Sequence, residues 1–156
     1  YMTTQNTIYQ NLNNRNYYAI IDLWGSEAFL SDSMTIRDWK ITENKRKLGG
    51  YMCRKAIWEP NDSTRIYAWF SADIVPSIGP EGFYGLPGAI LGLATEDGGV
   101  IYFATEVEAL KPKDGILNHE EQKKGVYNKI DLIDLLEERM GNYVKRKDLV
   151  SMFSWF

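Results

Sequence analysis

The residues that could carry chemistry are few and scattered. Cys53 and His119 are the only cysteine and the only histidine among the 156 residues. A cysteine nucleophile needs a base, normally histidine, so Cys53 would depend on His119 alone. Its alternation with Tyr51 and Lys55 reads instead as a small apolar residue in a strand. His119-Glu120-Glu121 offers metal-ligating side chains in succession, but position 123 is Lys, so the zinc-protease spacing is absent. That segment reads as a solvated charged turn or helix start. Ser71 and Ser77 stand outside any GxSxG elbow. Asp38, Asp73 and Glu81 occur singly, and no glycosidase-like carboxylate pair is indicated. Gly79, Gly82, Gly85 and Gly88 recur every third residue with prolines between and no Lys-Ser/Thr after them, unlike a phosphate loop. No catalytic residue, metal ligand or cofactor is assigned on these grounds, and the reading leans away from an enzyme.

The aromatic residues are a different matter. Trp39, Trp58, Tyr67, Trp69, Phe83 and Tyr84 fall within one stretch. Most read as core, yet aromatics over a curved sheet can also line an apolar groove. Tyr67 and Trp69 share one face of a strand, and Phe83-Tyr84 lie in a loop expected to cover a sheet. Tyr67, Trp69, Phe83, Tyr84 and Leu86 are therefore the candidate ligand-binding residues, lining a groove between the sheet and the 71–88 loop. The runs Lys45-Arg46-Lys47 and Lys145-Arg146-Lys147 read as solvated surface.

The elements that must position these residues are mainly strands. Residues 1–16 read as a polar, irregular lead-in. Tyr17 to Trp24 is a near-continuous apolar run ended by Gly25, with a short continuation at Ala28 to Leu30. Thr35 to Ile41 alternates as a strand, and Glu43 to Lys47 reads as a charged connection. Gly49-Gly50 opens a strand over Tyr51 to Trp58, and the Pro60-Asn61-Asp62-Ser63 turn leads to a return strand over Thr64 to Phe70. Residues 71–88 hold Pro76, Pro80 and Pro87, which deny amide donors to any ladder, together with Ile74, Val75, Ile78, Phe83 and Leu86. This is the pattern of an ordered loop pressed onto the domain. Ala89 to Ala94 and Gly99 to Val107 form a second hairpin across Glu96-Asp97-Gly98-Gly99. Asn128 caps a helix with apolar positions Ile130, Ile133, Leu136 and Met140, widened by Leu132 and Leu135 and stopped by Gly141; a shorter helical piece spans Lys147 to Phe153.

Composition bounds the function. With 44% hydrophobic residues, five Trp, ten Tyr and six Phe, the chain can build an aromatic, sheet-rich core. A net charge of −3 argues against binding nucleic acid by phosphate neutralisation. No apolar run approaches the roughly 18–20 residues of a membrane helix. A single cysteine leaves the redox compartment open. The first residues show neither the basic region nor the apolar stretch of a secretory signal, and the absence of an initial Met suggests that a leader or longer segment was removed.

One ordered set of residues resembles a known family. It runs Asp38-Trp39-Lys40-Ile41, Leu48-Gly49-Gly50-Tyr51, Cys53, Lys55-Ala56, Tyr67-Ala68-Trp69-Phe70, Asp73-Ile74-Val75-Pro76, Gly79-Pro80, then Phe83, Gly85-Leu86-Pro87-Gly88 and Ile90-Leu91. This resembles the GLPGLI family of gram-negative bacteria over residues 38–93, with Ala89 where the naming motif has Leu. The resemblance implies an exported, periplasmic or envelope-associated protein with a longer N-terminus, so that the first strand or strands are missing from this chain. It implies no biochemical activity. Within the motif, Gly85, Leu86, Pro87, Gly88 and Ile90 read as a structural corner: proline presets φ, the glycines tolerate positive φ, and Ile90 and Leu91 enter a buried strand.

The expectation is a single α+β domain over 1–156. Its curved, half-barrel-like antiparallel sheet has roughly five to seven strands and one or two C-terminal helices. The expected function is a non-enzymatic exported binding or accessory protein. Its partner is an apolar small molecule, lipid or peptide, or another envelope protein, without nucleic acid and without a transmembrane segment. A structural or protein-interaction module is the alternative, and a hydrolase ranks last.

Overall fold

The computed structural model describes residues 6–111, 113 and 125–155. In chain order the strands are β1 (Thr7–Asn11), β2 (Asn16–Leu23), β3 (Ser26–Ser33), β4 (Lys40–Leu48), β5 (Tyr51–Asn61), β6 (Thr64–Ser71), β7 (Ala89–Thr95), β8 (Ile101–Phe103) and β9 (Val126–Tyr127). A 3-10 turn covers Pro80–Gly82, and the helices are α1 (Lys129–Met140) and α2 (Arg146–Met152). The α+β class is as expected. The strands divide between two sheets, with orders β1-β2-β3-β9 and β4-β5-β6-β7-β8, and neither closes into a barrel. The described residues cluster in two units, one within 36–110 and one within 2–35 and 111–156.

In the second of these units β1, β2 and β3 pair antiparallel, while β9 runs parallel to β3 at Phe29 and Leu30. The apolar run of β2 buries Tyr17, Tyr18, Ala19, Ile21 and Leu23. Its hairpin to β3 turns on Trp24 and Gly25, both at positive φ, as a two-residue connection demands. The Asp22 carboxylate accepts from the Gly25 amide at 2.7 Å. The polar lead-in contains β1, because an edge strand is held by backbone pairing; one tilted ring contact, Tyr9 to Tyr18 at 6.4 Å, adds to it. Helix α1 starts where expected: Asn128 Oδ1 accepts from the Asp131 amide at 2.8 Å. Asp32 Oδ2 accepts from the Lys129 amide at 3.0 Å and ties that start to β3. Leu132, Ile133 and Leu136 are buried, whereas Ile130 is exposed. Arg146 of α2 pairs with Asp134 and Glu137 of α1.

In the other unit the β5–β6 hairpin is as expected, with Asn61 Oδ1 accepting from the Ser63 amide at 3.0 Å. The strand before it lies later than expected. Residues 35–39 are not a strand, since the Trp39 amide turns back onto the Arg37 carbonyl at 3.0 Å. The charged run Glu43–Lys47 lies inside β4 instead. An edge strand open to water needs no apolar alternation, and its cations discourage unwanted pairing. The second hairpin is shorter than expected, β8 ending at Phe103, with the Val100 amide bonded to Thr95 Oγ1 at 3.0 Å.

This sheet curls strongly. In a flat five-stranded sheet the edge strands stand about 19 Å apart. Here Arg46 on β4 brings its guanidinium carbon within 4.8 Å of the Phe103 ring centroid on β8. A Cβ at Gly92 would lie 3.0 Å from Leu48 Cδ1. Among the described residues, no helix is long and apolar enough to cross a membrane.

Candidate functional site

The 71–88 loop is ordered by bonds back to the sheet. The Ala89 amide donates to Ile74 O at 2.9 Å and the Ile90 amide to Ile78 O at 2.7 Å, while the Gly85 amide donates to Ser77 Oγ at 2.9 Å. The Trp39 indole donates to Tyr84 O at 3.0 Å. Gly88, at φ +144°, lies against the backbone where the loop begins: a Cβ there would be 1.9 Å from Ser71 O. The corner from Gly85 through Leu86 and Pro87 to Gly88 therefore brings two backbone segments together, with Leu86 and Ile90 buried behind it.

The structure does not bring the five candidate ligand residues together. Phe83 and Leu86 are 0% and 2% exposed, so they fill the space under the loop instead of lining an open groove. The Phe83 ring packs 6.2 Å from Trp39 and 5.9 Å from Trp58. Trp58 pairs with Ile66, both buried. Tyr67 and Trp69 alternate with Ile66, Ala68 and Phe70 and project from the opposite face. Tyr84 stays on the loop side, its ring 5.7 Å from the Arg37 guanidinium carbon.

Sequence reasoning missed Arg37, a buried cation between rings, 4.3 Å from the Phe83 centroid and 5.2 Å from Trp58. Burial lowers its pKa to about 10, opposed by Tyr84, so the guanidinium remains charged at neutral pH. Only the convergence of three distant aromatics marks it, and spacing along the chain carries no such signal.

On the opposite, concave face, cross-strand partners align Lys55, Trp69, Gly92 and Phe103 in one row. Lys55 Nζ lies 3.8 Å from the Tyr67 ring centroid and 5.9 Å from that of Trp69. The Arg46 guanidinium carbon lies 5.2 Å from Trp69. A Cβ at Gly92 would come within 2.7 Å of the Phe103 ring, so the ring sits where only a glycine leaves it room without a shift.

Beyond Tyr67 an ionic network begins. Arg65 bonds Glu59 at 2.7 Å and Glu96 at 3.0 Å, Tyr67 Oη donates to Glu96 at 2.8 Å, and Lys40 reaches Glu59 at 2.7 Å. The Lys40 and Arg65 hydrogen bonds hold Glu59 below the usual carboxylate range, and the Tyr67 hydrogen bond, with help from Arg65, does the same for Glu96. Both stay ionised at neutral pH and line a polar cleft of about 780 Å³.

Cys53 is fully buried, its thiol 3.7 Å from Tyr51 O and pushed upward by burial, the reverse of what activates a nucleophile. His119, Glu120 and Glu121 lie outside the described residues. Among the described residues no group of three or more His, Cys, Asp or Glu side chains is arranged to hold a metal.

A largely apolar space lies in the unit of β1–β3, β9 and the helices. A cleft of about 710 Å³ is lined by Leu23, Trp24, Ala28 and Phe29 of the β2–β3 hairpin, Tyr127 of β9, and Leu132, Leu135, Leu136 and Met140 of α1. Arg139 and Glu27 are its charged members. Arg139 makes no ion pair among the described residues. The width of the apolar face of α1, with Leu135 and Met140 beyond the buried stripe, was the signal in the sequence; the hairpin wall opposite it had none.

No family model matches the chain, and no curated protein matches it. Among solved structures it is similar to PNGF-II, seen in C2 and P21 space groups. Each comparison gives 20% identity and a TM-score of 0.57, covering 84% of this chain and 24% of that one. The chain thus spans about a quarter of the length of these structures, and the likeness concerns the fold alone.

Proposed function

We propose that this chain is a non-enzymatic binding protein of the exported, GLPGLI-like class, and that its ligand is a lipid-like amphiphile with an anionic head. The observation carrying this reading is the 710 Å³ cleft with walls from the β2–β3 hairpin and α1. Its volume lies in the range of roughly 300–1,000 Å³ typical of small-molecule sites, and its polar groups are few. Burial of the ligand's chain against Trp24, Phe29, Leu135 and Met140 supplies affinity, and Arg139, which makes no ion pair among the described residues, supplies the preference for an acid. Export and an envelope location belong to the same proposal and rest on the ordered residues of 38–93.

Displacement of a fluorescent fatty-acid probe by hexadecanoate and by hexadecanol tests it. Saturable displacement by hexadecanoate, lost in Leu135→Arg, is the expected result. Arg139→Gln is expected to bring the acid and the alcohol to similar affinity. Absence of saturable displacement, or unchanged displacement in Leu135→Arg, would refute the assignment. A second reading, a protein-interaction module, draws on the outer edge of the nine-residue strand β4, which no strand pairs among the described residues.

A further inference from the structure

We infer that Arg46 and Lys55, on the concave face of the β4–β8 sheet, form a binding site for a doubly charged tetrahedral oxyanion of the sulfate or phosphate class. This inference is independent of the apolar cleft. Both cations are held over the ring of Trp69, the guanidinium carbon at 5.2 Å and the ammonium nitrogen at 5.9 Å from its centroid. Phe103 and Tyr67 fix the two from either side, at 4.8 Å from Arg46 and 3.8 Å from Lys55. The ring contacts orient the cations without neutralising them.

Among the described residues no carboxylate pairs with either cation. Lys40, Arg54 and Arg65 of the same sheet each meet a carboxylate at 2.7–3.1 Å. Arg46 and Lys55 make no ion pair, and neither side chain donates a hydrogen bond, among the described residues. A guanidinium held over rings, with no hydrogen bond of its own among the described residues, has N–H donors free for an acceptor, and the ammonium has its own. Two like charges over one ring repel each other. A dianion removes that repulsion and takes up both donor sets. Arg46 is exposed, and Lys55 and Trp69 are half-buried, so the site is open to solvent. A monocarboxylate would balance only one of the two charges.

The test is titration of the full chain with sodium sulfate, inorganic phosphate, sodium acetate and sodium chloride at matched ionic strength. The readouts are the Trp69 indole and Arg46 side-chain resonances. Saturable shifts with sulfate or phosphate, absent with chloride and weak with acetate, are expected, and the stronger of the two dianions identifies the natural class. Arg46→Gln and Lys55→Gln should each weaken the response at least tenfold, Arg46→Lys should retain most of it, and Lys47→Gln should leave it unchanged. The inference is overturned by linear, non-saturating shifts with all salts, by a response to acetate as strong as to the dianions, or by equal weakening in Lys47→Gln. Far-UV circular dichroism of each variant separates loss of the site from loss of the fold.

Discussion

Gly88 permits a comparison in which backbone strain and close approach can be separated. Any L residue at φ +144° is strained, and a Cβ at Gly88 would also lie 1.9 Å from Ser71 O and 2.9 Å from Ala72 Cα, where ordinary contact begins at 3.4 Å. The atoms met are backbone, so relief requires moving the end of β6 or the start of β7. Gly98 offers the control: φ is +71°, and its Cβ would meet nothing within 4 Å. Gly98→Ala should cost about 1 kcal/mol, for conformation alone. Gly88→Ala carries at least that penalty and a further ~2 kcal/mol for overpacking against a fixed wall. With a urea slope of roughly 1–3 kcal/mol/M, the excess appears as a midpoint about 1 M below that of Gly98→Ala at equal slope. Urea unfolding followed by tryptophan emission measures it. If the two variants unfold within about 0.5 kcal/mol of each other, the corner is not a backbone-to-backbone contact and the reasoning fails.

Two further outcomes follow from the two faces of the β4–β8 sheet. Phe83→Ala, which empties a fully buried ring site, should cost about 3–5 kcal/mol, whereas Trp69→Ala, half-buried under two cations, should cost about 1–2 kcal/mol; urea midpoints that reversed this order would contradict the assignment of faces. Cys53, buried and with its thiol pushed upward, should resist Ellman's reagent in the folded protein and react at the rate of unfolding as urea is added. Rapid stoichiometric labelling without denaturant would show that the thiol is accessible.

Several elements were legible in the sequence because their signals are local. Gly49-Gly50 and Asn61-Asp62-Ser63 bracket an alternating apolar run, and the β5–β6 hairpin follows from backbone preferences that do not depend on distant residues. Asn128 and the helical spacing after it placed α1. The prolines of 71–88 excluded a central strand, and the apolar residues among them required an ordered loop. Strands β1 and β4 were not legible. Both are edge strands held by backbone pairing to β2 and β5, and pairing of that kind leaves no mark in side-chain alternation.

The candidate site shows the same division more sharply. Period-two spacing correctly put Tyr67 and Trp69 on one face of a strand, as the prolines of 71–88 put Phe83 and Leu86 in an ordered loop. It could not say which face the loop covers. The tertiary structure set the loop on the Trp58 and Ile66 side, buried Arg37 there among three rings, and left Tyr67 and Trp69 to Lys55 and Arg46 on the other. Alternation along a strand determines which side chains are neighbours, because that follows from the geometry of one chain. What lies over those side chains is decided by segments distant in sequence, through burial and charge, and only the folded chain brings those together.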